Sequence, residues 1–142
     1  MPVVVIGHSG LCPPLPIPFF LERVSAGFPS PAQDYVEQVL DLNSLCVRHP
    51  AATFFVRVQG DSMRDAGIYP GDVLVVDRSL VARHGDTVIA SVDGELTVKE
   101  LCHRDGEICL LARNPAYPPI TFAPPQELDV FGVVTGVVRE MR

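Results

Sequence analysis

Tryptophan is absent from this 142-residue sequence, and only 20% of its residues are charged. No apolar run approaches the ~20 residues of a membrane-spanning helix. Residues 1–6 are apolar, but they lack a basic leader and are too short for a secretory signal. These absences lead us to expect a cytoplasmic chain, away from membranes. The four cysteines (Cys12, Cys46, Cys102 and Cys109) form no C-x-x-C pair. They read as reduced, structural thiols. The Walker, G-x-S-x-G and H-E-x-x-H patterns are all missing. No Lys/Arg cluster offsets the net charge of -6. Residues 1–26 carry only Glu22 and Arg23, which cancel, so the whole acidic excess belongs to residues 27–142. An acidic body repels phosphates, and direct DNA binding is not expected.

Proline is abundant, and its placement is uneven. Of fourteen prolines, seven (Pro2, Pro13, Pro14, Pro16, Pro18, Pro29 and Pro31) lie in the first 31 residues. Proline excludes regular helix and central strand. Residues 1–29 therefore read as an extended arm, and residues 30–142 as one domain. Ser30, Pro31 and Gln33 resemble a helix start, and Tyr35, Val36, Val39 and Leu40 recur at helical spacing. They predict a short helix over about 31–42.

From residue 53 the period changes to two. Strands are expected over 53–59, 73–76, 87–92, 96–101, 108–112 and 129–138. Asp93-Gly94 marks a two-residue hairpin. The fold class expected is mainly β: a curled antiparallel domain with one short helix.

Two residues stand out chemically. Ser62, in Gly60-Asp61-Ser62-Met63, follows a strand at a glycine that permits close backbone approach. Lys99 lies mid-strand in Leu96–Leu101, whose apolar residues are Leu96, Val98 and Leu101. Such a lysine either faces water, the commoner case, or points into a pocket. Burial there lowers its pKa at about 1.4 kcal/mol per unit, giving a neutral amine able to take a serine proton. The histidines His8, His49, His84 and His103 fit less well. A Ser-His-Asp triad has no local pattern to support it. Cys102, His103, Cys109 and His84 match no zinc spacing. No metal or cofactor is expected.

Several motifs resemble one family as a set. They are Phe55-Val56-Arg57-Val58-Gln59-Gly60-Asp61-Ser62-Met63, Gly67-Ile68, Gly71-Asp72, His84-Gly85-Asp86, Asp93-Gly94-Glu95 and Thr97-Val98-Lys99. Phe28-Pro29-Ser30-Pro31-Ala32, Asp34-Tyr35-Val36-Glu37-Gln38, Asp41-Leu42-Asn43 and Leu128-Asp129-Val130-Phe131-Gly132-Val133-Val134 join them. The chain resembles the LexA/UmuD family of self-cleaving Ser-Lys peptidases over about residues 22–142, more closely on its UmuD side. The resemblance implies Ser62 as nucleophile, Lys99 as general base, and self-cleavage at Ala26-Gly27. The backbone N–H groups of Ser62 and Asp61 would form the oxyanion hole. It also implies a homodimer, stimulation by a RecA filament on single-stranded DNA, and service to a UmuC-type translesion polymerase in the SOS response. Alanine stands before Gly27 where UmuD relatives often carry cysteine; both are small.

Three other readings remain. A LexA-like or phage-type repressor would need a helix-turn-helix, which 26 proline-rich residues cannot hold unless the chain is truncated. A signal-peptidase-like enzyme would need a membrane anchor. A non-enzymatic β domain with a dimerising arm is separable only by activity.

Overall fold

In the computed structural model, residues 2–8, 16–20, 36–122 and 127–141 are described. The chain divides into two units, Met1–Gly10 with His49–Arg142, and Leu11–Arg48.

The larger unit is built on one eight-stranded sheet. Its strands are β1 (Val3–His8), β4 (Thr53–Val58), β5 (Val73–Asp77), β6 (Thr87–Val92), β7 (Glu95–Arg104), β8 (Glu107–Leu111), β9 (Ile120–Phe122) and β10 (Asp129–Val138). Their order across the sheet is β1-β4-β5-β10-β6-β7-β8-β9. Each neighbouring pair is antiparallel. All six expected strands are present within a few residues, and the fold is the mainly β domain expected.

The β6–β7 turn has positive φ at both Asp93 (51°) and Gly94 (81°). That geometry defines a type I′ turn, which matches strand twist and favours Asp-Gly. Asp105-Gly106 closes β7–β8 in the same way.

Apolar residues pack on both faces of the sheet. Val56, Val58, Met63, Leu74, Val76, Ile89 and Val98 form one buried cluster. Val88, Ala90, Leu101, Leu110 and Val133 form another. β6 sends Ile89 to the first and Val88 and Ala90 to the second, as strand alternation requires. β10 has register shifts between Val130 and Gly132 and between Val134 and Gly136. Bulges of this kind bend a strand and let the sheet curl. A side chain at Gly132 has no room: its Cβ would lie 2.6 Å from Val76 Cγ1 and 3.2 Å from the Asp77 carbonyl oxygen.

Two features depart from expectation. Within the arm, Val3–His8 is a strand paired with β4, with a register shift between Val5 and Gly7, so this part adds to the main sheet. The helix expected over 31–42 is not formed by the described part of that span. Val36–Asp41 is instead strand β3, paired in a two-stranded ribbon with β2 (Pro16–Phe20). Residues 31–35 lie outside the described residues. Val36, Val39 and Leu40 satisfy a helical period by chance, while their β-branched members favour a strand once a partner exists. The helix begins later, as α1 (Leu42–Cys46), where the Asp41 carboxylate accepts the Ser44 N–H as an N-cap. Pro16 and Pro18 are tolerated in β2 because, among the described residues, the ribbon has no third strand. No helix of the described residues is long and apolar enough to cross a membrane.

Candidate active site

β4 delivers the chain to Gly60, whose φ of 81° reverses its direction. Asp61-Ser62-Met63 then form a tight turn closed by the 3₁₀ segment Arg64–Ala66. Met63 anchors this turn in the first core cluster, and its carbonyl accepts from the Ala66 and Ile68 N–H groups. Ser62 is therefore held with no exposed surface (0%).

Lys99 comes from the opposite half of the sheet. It lies on β7 opposite Val88 of β6 and is 5% exposed. The structure brings these two residues together. Lys99 Nζ lies 3.0 Å from Ser62 Oγ, 3.1 Å from Thr97 Oγ1 and 3.2 Å from the Val98 carbonyl oxygen. Among the described residues Lys99 has no carboxylate partner. Burial pushes its pKa below the ordinary lysine value, because the ammonium loses hydration without gaining a counter-ion.

The three neighbours suit a neutral amine. Its two N–H groups can be donated to Thr97 Oγ1 and the Val98 carbonyl, which leaves the lone pair facing Ser62 Oγ. A cleft of about 380 Å³ opens beside Lys99, lined by Pro2, Leu96, Thr97, Tyr117, Pro118 and Ile120.

Asp61 is fixed at both ends. Its carbonyl accepts from Asn114 Nδ2 at 3.0 Å, and its carboxylate accepts from the Tyr117 hydroxyl at 2.6 Å. Sequence reasoning misses Asn114 and Tyr117, because Asn114-Pro115 reads only as a turn. Behind the turn, Arg139 donates to the buried Asp72 carboxylate and to the Gly67 carbonyl, and it stacks on Tyr69 at 4.5 Å. The Arg139 guanidinium holds the Asp72 carboxyl below its usual pKa.

The remaining candidates lie apart from this centre. His49 pairs with Asp77, and His84 Nδ1 accepts the His103 N–H. Cys102 and Cys109 face each other across β7 and β8. Among the described residues, no three His, Cys, Asp or Glu side chains are grouped to hold a metal ion. The Ala26-Gly27 bond lies outside the described residues; in sequence it falls in the connection between β2 and β3.

A family model described as Peptidase S24-like matches residues 18–135. The chain is 54% identical over 125 residues to protein SamA of Salmonella typhimurium, covering 88% of this chain and 86% of that protein. It is 50% identical over 136 residues to protein MucA of Escherichia coli, covering 95% and 92%. A LexA repressor of Paracidovorax citrulli is more distant, at 38% identity over 117 residues, covering 82% of this chain and 52% of the repressor. A matched span that contains both the Ser62 turn and β7, with relatives similar along most of their length, shows that the chain belongs to the peptidase S24-like family.

Proposed function

We propose that this chain is a self-cleaving serine peptidase of the UmuD type, with Ser62 as nucleophile and Lys99 as general base. The observation that carries the reading is the buried 3.0 Å contact between Lys99 Nζ and Ser62 Oγ. Neutral Lys99 accepts the Ser62 proton as Ser62 Oγ bonds to the Ala26 carbonyl carbon. The tetrahedral intermediate collapses, the Ala26–Gly27 C–N bond breaks, and Lys99 returns the proton to the Gly27 amine. Water, deprotonated by Lys99, then hydrolyses the Ala26 ester and frees residues 1–26. The backbone N–H groups of Ser62 and Asp61 stabilise the oxyanion.

Residues 1–29 act as the arm that carries the scissile bond. Val3–His8 and Pro16–Phe20 already lie extended as strands, the backbone form in which a peptidase accepts its substrate. Stimulation by a RecA filament on single-stranded DNA acts as a population shift, favouring the state in which Ala26-Gly27 lies over Ser62. The processed homodimer then serves a UmuC-type polymerase subunit in cytoplasmic SOS translesion synthesis.

Intact-mass measurement after incubation at neutral and raised pH, with and without a RecA filament, tests this. A cut between Ala26 and Gly27 is expected, faster at high pH and absent in Ser62→Ala and Lys99→Ala. Continued cleavage in Ser62→Ala would exclude Ser62 as nucleophile. An intact wild-type chain under every condition would favour a non-enzymatic β domain.

A further inference from the structure

The peptide joining Asp61 to Ser62 carries two groups at once: the Asp61 carbonyl on one side and the Ser62 N–H on the other. A planar trans peptide points them in opposite directions, so fixing one fixes the other. The Asp61 carbonyl accepts Asn114 Nδ2–H at 3.0 Å and the Arg64 N–H at 3.2 Å. Among the described residues the Ser62 N–H has no backbone acceptor.

Asn114 is itself locked. It is 6% exposed, and its Oδ1 accepts the Ala116 N–H at 3.0 Å. Turning the amide would break both side-chain bonds inside a buried site. Pro115 adds stiffness, because a following proline narrows the backbone conformations open to Asn114.

The neighbours of Asn114 reach the same turn and the lysine strand. The Arg113 carbonyl accepts the Asp65 N–H at 2.8 Å. The Arg113 guanidinium forks onto the carboxylate of Glu100, the residue after Lys99, with both contacts at 2.6 Å. Tyr117 holds the Asp61 carboxylate. Residues 113–117 therefore touch the Ser62 turn on both flanks and are tied to β7 as well.

We propose that Asn114 is a positioning residue: its Nδ2–H bond to the Asp61 carbonyl aims the Ser62 N–H at the developing oxyanion. The proposal rests on Ser62 being the nucleophile. Asn114 touches no reacting atom and acts through the peptide it orients. Its side-chain oxygen has a separate structural task, closing the turn over Ala116.

Substitution separates the two tasks. Asn114→Asp keeps the oxygen that accepts the Ala116 N–H and loses the donor to Asp61. Asn114→Ser keeps a weaker turn acceptor, adds no charge and is too short to reach the Asp61 carbonyl. First-order self-cleavage rates are followed across pH by intact mass, with thermal melting measured alongside. Both variants should cut about 10–10²-fold more slowly, somewhat less than the ~10²–10³ lost when an oxyanion donor is removed outright. Asn114→Asp should melt lower, because its carboxylate faces the Asp61 carbonyl oxygen, so its rate is read well below its melting transition; Asn114→Ser should keep the wild-type pH midpoint. A rate for Asn114→Asp within twofold of wild type would leave Asn114 a turn former only and overturn the proposal. If Asn114→Asp does not fold, Asn114→Ser decides by the same rate criterion. If the wild type itself is never cut, the nucleophile reading fails instead, which is a separate result.

Discussion

Replacing Lys99 by methionine tests its chemistry and its burial together. Methionine is similar in length, so the site stays filled, while the amine disappears. Lys99 makes three polar contacts and has no counter-ion among the described residues. Losing three hydrogen bonds costs about 3 kcal/mol at roughly 1 kcal/mol each. Removing a buried, unpaired ammonium returns several kcal/mol. The net is a gain of about 1–2 kcal/mol near neutral pH, or roughly 3–8 °C in Tm for a domain of this size.

The gain depends on pH. Lys99 has a folded pKa below its ordinary 10.5. Between the folded value and 10.5 the unfolded chain binds more protons, so stability of the lysine-containing protein rises with pH through that window. Below the folded value this contribution is lost. The uncut reference is Ser62→Ala, which keeps the lysine. Melting curves of Ser62→Ala and Lys99→Met should therefore draw together as pH rises from neutral and then cross, because neutral Lys99 keeps its bonds to Thr97 and the Val98 carbonyl after the ammonium cost has gone. Self-cleavage in Lys99→Met should fall by at least ~10²–10⁴-fold, the contribution of a general base. A constant gap between the two melting curves, or cleavage within tenfold of wild type, would refute a buried lysine that works as a neutral base.

Three further outcomes concern other parts of the fold. Gly132→Ala should lower stability in urea by about 1–3 kcal/mol through overpacking against Val76; Gly136→Ala, whose nearest contact is 3.7 Å, should be far milder. Arg139→Met should lower Tm at neutral pH and make acid unfolding begin at higher pH. The depressed carboxyl of Asp72 contributes stability above its ordinary 3.8 that is lost only as pH falls through its folded value, and without Arg139 that protection goes; melting between pH ~3 and ~7 reads it. Cys102 and Cys109 are directly opposed, and antiparallel partners have the Cα spacing a disulfide needs. An excess of a small oxidised disulfide should join them with loss of two thiol hydrogens, seen by intact mass and peptide mapping; two separate mixed disulfides instead would show that the pair cannot close.

Strands after residue 53 are legible in the sequence because some, such as Thr53–Val58, alternate, because Val73–Val76 is a short apolar run bounded by turn residues, and because Asp93-Gly94 can scarcely be other than a hairpin turn. Residues 36–41 are not. Apolar positions there fit helical spacing, and only pairing with β2 selects the strand. Val3–His8 lacks any alternating signal; it is an apolar run that becomes a strand because β4 offers it an edge. Ser62 and Lys99 are each visible as odd residues for their surroundings. Their proximity is not, since it depends on sheet order across 37 positions of sequence. Asn114 illustrates the other limit: a buried amide that holds a carbonyl 53 residues away leaves no local trace beyond a turn.

The position of β10 gives the sheet order a consequence in time. β10 lies between β5 and β6, and among the described residues it is the strand that pairs with both the half that carries Ser62 and the half that carries Lys99. It is also the last strand in the sequence. A ribosome makes every other strand first, at about 5–20 residues per second. Until Asp129–Val138 has emerged, the main-chain pairing between the two halves is limited, among the described residues, to the isolated Pro2–Thr97 bridge. On the proposed mechanism, a nascent chain would carry Ala26-Gly27, Ser62 and Lys99 for seconds before β10 pairs with both halves. The topology thus ties assembly of the proposed site to synthesis of β10.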